Sequence, residues 1–330
     1  MRFGLGVASV LMVSQLADWP LGYMAALLTA MMLQQPQPTK LRGAIASISI
    51  AAALLAAAAL WAATFIHYPE LFLTTLAIML YAVFHYAARG GRTAIVLFAL
   101  IGLLVMPAVV RIRPELASML VGWLTFNLTV AFAASALWFA ILPPSGATTR
   151  PKTKKVPEPD EVAWKAAAML LVVFPLTAWF NIAEGQNTLT LIFTAILVQQ
   201  LSNAAIGKIG RALIIANAAG GAIALLAYEV LVMAPSFPVF AALATGILLL
   251  AGRLIFSGRP ISKLAAPATS GFLVLLGGAT APFGNDVDAA FFERISQIGQ
   301  AVIYVLVAIT VLTVLWRSPP ERSAEAAPVA

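Results

Sequence analysis

The chain has 330 residues, of which 62% are hydrophobic and 10% are charged, and its mean hydropathy is +0.95. A soluble globule of this size needs far more polar surface, so the composition excludes a soluble protein and predicts an integral membrane protein. The net charge of +7 also occurs in nucleic-acid-binding proteins, but membrane topology explains the basic residues better, and no nucleic-acid partner is expected. Because no cysteine is present, disulfides and thiolate metal sites are excluded.

Apolar runs separated by Pro, Gly and charged clusters predict six membrane segments in each half of the chain. The predicted fold is an all-α integral membrane protein with about 12 transmembrane helices. In the first half the segments lie near 3–17, 20–34, 44–66, 71–88, 94–110 and 117–142. In the second half they lie near 164–181, 187–202, 212–233, 237–256, 264–282 and 290–316.

The first two segments of each half are short. Roughly 15 to 18 apolar residues give about 22 to 27 Å of helix, less than a hydrocarbon core of about 30 Å. Short, Pro-interrupted segments at matching positions of two repeats point to a substrate site. The alternative is a hairpin of short helices packed against longer neighbours.

An internal repeat organises the chain. The sequence LLTAMMLQQ at residues 27–35 recurs as IFTAILVQQ at residues 192–200, and a basic patch follows each copy. We therefore predict two six-helix repeats. Because six is even, both repeats enter the membrane from the same side, and their pseudo-twofold axis runs along the membrane normal.

This repeat predicts the domain layout. The first membrane repeat covers residues 1–143, and the second covers residues 163–317. Residues 144–162 contain Pro, Lys and Glu and are too few to bury a core, so they form a solvated cytoplasmic linker. The final residues, 318–330, form a disordered cytoplasmic tail.

The distribution of basic residues predicts the orientation. If every segment crosses, seventeen of the 20 Lys and Arg residues fall on the side of the N-terminus and three on the other side. Such a bias marks the cytoplasmic face. The sequence therefore predicts a multi-pass protein with both termini in the cytoplasm.

Polar residues at the end of the second segment of each half form a candidate anion site. Glutamine pairs end these segments, and an Arg is predicted to begin the third segment, where the helix dipole adds to its charge. The alternative is that these arginines anchor helix ends among lipid headgroups. The candidate substrate-binding residues are Gln34, Gln35, Arg42, Gln199, Gln200 and Arg211.

Three acidic residues are candidates for proton coupling. Asp18 and Glu184 occupy similar places in the two halves, and Glu229 lies within an apolar run, where an ionised group is costly. The alternative is that they are interfacial carboxylates. The chain lacks a Walker loop, a GxSxG or HExxH motif and a dinucleotide fingerprint, and we expect neither an enzyme nor a bound cofactor or metal.

The sequence WPLGYMAALLTAMMLQQP at residues 19–36, followed by a basic helix start, resembles the fusaric acid resistance protein family of the aromatic acid exporter superfamily. A second, similar block covers residues 190–221, with GKIGRA at 207–212 and NAAGG at 217–221. The larger bacterial members carry a large cytoplasmic domain between or after the membrane blocks, whereas only residues 143–162 stand between the two halves here. The chain therefore resembles a compact branch of that family.

The resemblance implies a component of the bacterial inner membrane that exports aromatic carboxylates or related anions. Such components work with a periplasmic adaptor, the membrane fusion protein, and an outer-membrane channel. Our leading hypothesis is an exporter of small organic anions driven by the proton-motive force. A passive anion channel and a non-transporting membrane scaffold are the alternatives, and homo-oligomerisation stays open.

Overall fold

A computed structural model of the chain describes residues 1–91, 93–143, 159–182, 203–259, 261–279 and 287–315. It also describes Thr190, Leu191, Thr194, Ala195 and Val198, here called the Thr190 segment, which are helical and buried. The described regular structure is all helical, as predicted. The helices are α1 (Arg2–Leu16), α2 (Gly22–Leu33), α3 (Leu41–Phe65), α4 (Pro69–Ala88), α5 (Thr93–Ile112), α6 (Pro114–Ile141), α7 (Pro159–Ile182), α8 (Asn203–Met233), α9 (Phe237–Ile255), α10 (Ser262–Ala279) and α11 (Val287–Leu315).

Seven of the described helices are long and apolar enough to cross a membrane by length and composition, and the chain is a multi-pass membrane protein. The candidate spans are Leu41–Phe65, Pro69–Ala88, Ile95–Ile112, Pro114–Ile141, Asp160–Asn181, Ile215–Met233 and Phe237–Ile255. Helices α1 and α2 are apolar but have only 15 and 12 residues. The count of 12 spans stays a prediction.

Proline and glycine determine several helix ends. Pro69 and Pro114 stand in the first turn of α4 and α6, where a missing N–H costs no helical hydrogen bond. Gly90 and Gly258 follow α4 and α9, with φ of +81° and +68°. Only glycine adopts such angles without strain, so these residues allow the chain to turn sharply after each helix.

Two helices begin earlier than the apolar pattern predicts. Helix α7 begins at Pro159 rather than near 164 because Asp160 and Glu161 favour the positive end of the helix dipole, and Glu161 pairs with Lys165 at 2.5 Å. Helix α8 begins at Asn203 rather than near 212. The prediction that Arg211 begins this helix is therefore wrong. Isolated glycines such as Gly207 and Gly210 weaken a helix but need not end it.

Helices α1 and α2 form an antiparallel hairpin that packs on α6. At one end of the hairpin, Arg2 donates to the carbonyl of Leu142 at 3.1 Å and lies 4.0 Å from the centre of the Phe139 ring. At the other end, Trp19 Nε1 donates to Asn127 Oδ1 at 3.1 Å. Asn127 stands at the middle of the 28-residue helix α6. The hairpin turn thus lies about 20 Å from the start of α6, which favours the interpretation as a short, packed hairpin.

The helix contacts of the two halves correspond. Helix α3 packs against α5 and α6, and α8 packs in the same way against α10 and α11. Between the halves, α1 packs against α9, and α4 packs against α7. If α1 corresponds to α7 and α4 to α9, the contact of α1 with α9 corresponds to the contact of α7 with α4. The two contacts between the halves are then equivalent.

The buried residues of α4 in the first half recur in α9 of the second half at a constant offset. Helices α4 and α9 each bury one residue per turn along a single stripe, and the two stripes are offset by 168 residues. Such a stripe is the face that a helix packs against a neighbour. The stripes are Phe72, Leu76, Leu80 and Phe84 in α4, and Phe240, Ala244, Leu248 and Gly252 in α9.

Glycines permit the closest helix crossings. A Cβ at Gly220 of α8 would overlap the carbonyl oxygen of Ala268 in α10. A Cβ at Gly102 of α5 would lie 2.9 Å from that of Ala58 in α3. Small residues at such crossings let backbones approach, as is common between helices in membranes.

Gly220→Ala should lower the thermal stability of the detergent-solubilised protein by about 1–3 kcal/mol, because the added methyl group meets rigid backbone. Gly122→Ala is the matched control. Gly122 is exposed on α6 and a Cβ there meets nothing, so we expect an unchanged or higher melting temperature. Equal effects of the two substitutions in a thermal unfolding assay would contradict this close packing.

Candidate functional site

A pocket of about 510 Å³ lies between α2, α3, α5 and α6 and is here called the α2–α6 pocket. Its volume is in the range that drug-sized ligands occupy. Part of its rim is the connection between α2 and α3. Its lining residues are Leu28, Met31, Met32, Gln34, Gln35, Gln37, Thr39, Ser47, Ala51, Ile95, Leu97, Phe98, Leu128 and Phe132.

The pocket has apolar walls and a polar mouth. Aliphatic, methionine and phenylalanine side chains form the walls, while amide and hydroxyl groups lie where α2 ends and α3 begins. Gln34 Nε2 donates to the carbonyl of Ala30 at 3.1 Å, and Ser47 Oγ donates to the carbonyl of Gly43 at 2.8 Å. No lining residue carries a charge. The pocket therefore suits a ligand with an apolar body and a hydrogen-bonding end.

The local sequence explains why the mouth is polar. Helix α2 ends at Leu33, and Pro36 and Pro38 follow within five residues. Proline disfavours helical backbone in the residue before it, so the connection is irregular, with a turn and bends at residues 34–37, until α3 begins at Leu41. Gln34, Gln35 and Gln37 are thereby held outside regular structure, at the rim of the pocket.

Asn127 positions the hairpin that carries one wall of this pocket. Its side chain is fully buried and uses both ends of the amide. Oδ1 accepts from Trp19, while Nδ2 donates to the carbonyls of Trp123 at 2.8 Å and Pro20 at 3.4 Å. Trp19 also packs edge-on against Phe126, with ring centres 5.3 Å apart. Sequence reasoning missed this residue, although a lone Asn within the apolar run of α6 is a signal for it.

The structure brings some of the predicted anion-binding residues to the pocket and not others. Gln34 and Gln35 line the mouth. Arg42 is the second residue of α3, at the positive end of the helix as predicted, but it is exposed and lies about 140° around the helix from Ser47. Arg211 is the ninth residue of α8. Gln199 and Gln200 lie outside the described residues.

Basic residues surround the end of the molecule at which the mouth lies. Lys40, Arg42 and Arg89 are exposed near the ends of α2, α3 and α4. In the described part of the chain the only ion pair joins Lys165 to Glu161, so none of these three charges is neutralised by a neighbouring carboxylate. A positive potential at the mouth favours anionic ligands.

The predicted proton-coupling residues lie at the surface where they are described. Asp18 is exposed in the turn between α1 and α2, with φ of +50°. Glu229 is exposed on the face of α8 that also presents Leu226 and Met233. Glu184 lies outside the described residues. Neither described carboxylate lines the α2–α6 pocket.

Residues 1–138 match the model of a family described as a protein of unknown function, DUF2955. The match covers α1 to α5 and nearly all of α6, which includes every residue that lines the α2–α6 pocket. No curated protein and no solved structure matches the chain. The resemblance to the fusaric acid resistance protein family stays a prediction.

Asn127→Leu should destabilise the protein by about 1–3 kcal/mol, because it removes the acceptor of the half-buried Trp19 N–H and the contact with the Pro20 carbonyl. Thermal unfolding in detergent measures the loss. Thr129→Val is the control because Thr129 is exposed on α6 and bonds only within its own helix. A second measurement follows the turn between α1 and α2 directly. Because the chain has no cysteine, Asp18→Cys introduces a single one, and its maleimide labelling shows how accessible the turn is. Unchanged maleimide labelling of that cysteine in the Asn127→Leu variant would contradict the role of Asn127 in holding the turn.

Proposed function

We propose that the chain is a membrane transporter that exports small organic anions and recognises them in the α2–α6 pocket. The observation that carries the proposal is the pocket itself, in which apolar walls end at a mouth of three glutamines, a threonine and a serine. Apolar pockets with a few polar groups at one end are typical sites for small ligands. An aromatic carboxylate would place its ring against the walls and its charged end at the mouth.

Two features favour an anion over a neutral molecule. Glutamine amides at the mouth can donate N–H groups to a carboxylate, and Gln35 and Gln37 are exposed there. Lys40, Arg42 and Arg89 pair with no carboxylate among the described residues, and their charges raise the local concentration of anions near the mouth. In this arrangement Arg42 attracts the substrate and does not hold it inside the pocket.

The proposed orientation of the pocket mouth follows from the charge distribution. Because basic residues gather at the cytoplasmic face of membrane proteins, the end with the mouth would face the cytoplasm. Both termini would lie on the same side in a bacterial inner membrane. The substrate would enter from the cytoplasm, and a periplasmic adaptor and an outer-membrane channel would be the partners that complete export.

The corresponding helix contacts support two six-helix repeats related by a pseudo-twofold axis. The glycine at the crossing of α3 and α5, Gly102, has its counterpart in Gly271 of α10 at an offset of 169, the same offset that joins Arg42 to Arg211. In this architecture Gln199 and Gln200 would line a second pocket equivalent to the first. Two facing half-sites give a path between the repeats.

Ser47→Phe should reduce transport of an aromatic carboxylate such as benzoate about tenfold or more, because the added ring occupies the pocket. The matched control is Ser49→Phe, which places the same ring on an exposed face of α3. Uptake of labelled benzoate into proteoliposomes measures the rate, and benzyl alcohol serves as the uncharged comparison. Equal benzoate transport by the two folded variants would refute recognition in this pocket.

Coupling to protons is part of the proposal and has its own test. If one proton enters for each anion exported, a gradient of one pH unit, acid on the outer side, should change the steady-state accumulation of benzoate about tenfold. A protonophore should abolish the effect. Accumulation that follows the membrane potential and ignores the pH gradient would instead identify the passive anion channel.

A further inference from the structure

Helices α3 and α5 of the first half correspond to α8 and α10 of the second, but the two pairs pack at different points. Under the offset of 169 residues, Gly102 of α5 corresponds to Gly271 of α10. A Cβ at Gly102 would lie 2.9 Å from the Cβ of Ala58, whereas a Cβ at Gly271 would lie 3.2 Å from Asn217 Oδ1. Asn217 corresponds to Ile48 of α3. The second glycine thus meets its neighbour at the equivalent of position 48 rather than 58, about 15 Å closer to the start of that helix.

A second contact shows the same difference. Gly220 of α8 lies so close to α10 that an added Cβ would overlap the carbonyl oxygen of Ala268. Gly220 and Ala268 correspond to Ala51 and Ala99 of the first half. The glycine crossing of the first half lies instead at Ala58, about 10 Å further along α3 than Ala51. The second pair therefore packs together nearer the helix starts than the first pair does.

The α2–α6 pocket lies where the first pair is apart. Ser47 and Ala51 of α3 line it together with Phe98 of α5. The equivalents of Ser47 and Ala51 in α8 are Ala216 and Gly220. Ala216 is only 1% exposed, and Gly220 meets the backbone of α10. The space that the pocket fills in the first half is therefore taken by helix packing in the second.

The facing surfaces of α3 and α5 suit both packings. Ala51, Leu55 and Ala58 are buried at intervals of about one turn along one face of α3. On α5, Ala99 and Gly102 are one turn apart and thus share a face. Small side chains let helix backbones approach at either point. Two packed helices of this kind can switch between discrete contact points.

One end of α5 is fixed and the other can move. Helix α5 ends at Ile112, and α6 begins two residues later at Pro114, so this end of α5 is tied to α6. Pro107 stands inside α5, between the fixed end and the crossing at Gly102. It removes the hydrogen bond to the carbonyl of Leu103, and proline within a helix is a usual place for a bend. The half of α5 that lines the pocket can therefore tilt about this point.

We propose that the α2–α6 pocket closes when the N-terminal half of α5 packs on α3 at Ala51, as α10 packs on α8 at Gly220. In the closed state Ala99 contacts Ala51, and the space beside Ser47 is lost. A ligand in the pocket holds the two helices apart, so ligand binding and closure compete. Closure is then the step that empties the pocket, a role that rests on the proposed function. The equivalent pocket of the second half would open by the reverse movement.

Disulfide formation between introduced cysteines tests this closure. Because the chain has no cysteine, Ala51→Cys with Ala99→Cys, here called the closure pair, allows one intramolecular bond. In the structure these positions lie about 10 Å and about 4 Å before the crossing of Ala58 with Gly102, and the pocket separates the helices there. A disulfide requires Cα atoms within about 7 Å, which the closed state provides. Under a mild oxidant in detergent, we expect the closure pair to form the bond.

Benzoate should slow this reaction. At ten times its dissociation constant, a ligand that binds only the open pocket lowers the closed population, and with it the rate of disulfide formation, about tenfold. Non-reducing electrophoresis of samples taken over time measures both rates.

Ala58→Cys with Gly102→Cys, here called the crossing pair, is the matched control. It joins the contact that the structure contains, so its bond should form at least as fast with benzoate as without. If the closure pair does not fold, Ile48→Cys with Gly102→Cys takes its place. That pair reproduces the contact of Asn217 with Gly271, and benzoate should slow its reaction in the same way.

A disulfide in the crossing pair, but in neither the closure pair nor its replacement, would overturn the proposal. If benzoate transport responds to Ser47→Phe and yet benzoate leaves the rate of the closure pair unchanged, the competition between ligand and closure is refuted. Failure of the proposed function looks different. In that case the closure pair still forms its bond at a rate that ignores benzoate, and transport does not distinguish Ser47→Phe from Ser49→Phe.

Discussion

The hydrogen bonds of one buried asparagine hold the arrangement on which the pocket depends. Asn127 binds the turn between α1 and α2 at the middle of α6, accepting from Trp19 and donating to the Pro20 carbonyl. In a low-dielectric interior such bonds are costly to leave unmade. This turn sets the depth at which α2 lies along α6. The depth in turn places Gln34 and Gln35 at the rim of the α2–α6 pocket.

The two halves differ in the hydrogen bonding of their buried polar side chains. In the first half, Thr29 and Asn127 satisfy their buried polar atoms within the protein. In the second half, Thr194 and Gln297 leave oxygen atoms unpaired. Among the described residues, the first half has an apolar pocket with a polar mouth, and the second half has buried side-chain oxygens without a hydrogen-bond partner.

Much of the helical layout follows from apolar patterning. The predicted segment 237–256 agrees with α9 at residues 237–255, and the predicted segment 71–88 with α4 at residues 69–88. Prediction failed at the starts of α7 and α8, which both lie before the apolar runs that the sequence shows. Helix α8 extends to Asn203 through two glycines, which moved Arg211 away from the helix terminus. A charge at the end of an apolar run therefore does not mark the end of a helix.

The sequence by itself determined that this is a multi-pass helical membrane protein, because its composition leaves no other way to bury its surface. It also revealed the repeated glutamine pairs, of which the first lines the pocket. Only the tertiary structure decided that Arg42 is exposed and does not line that pocket, and that Asn127 holds the hairpin. Both depend on the rotation and depth of one helix against another, and these follow from side-chain packing between segments distant in the chain.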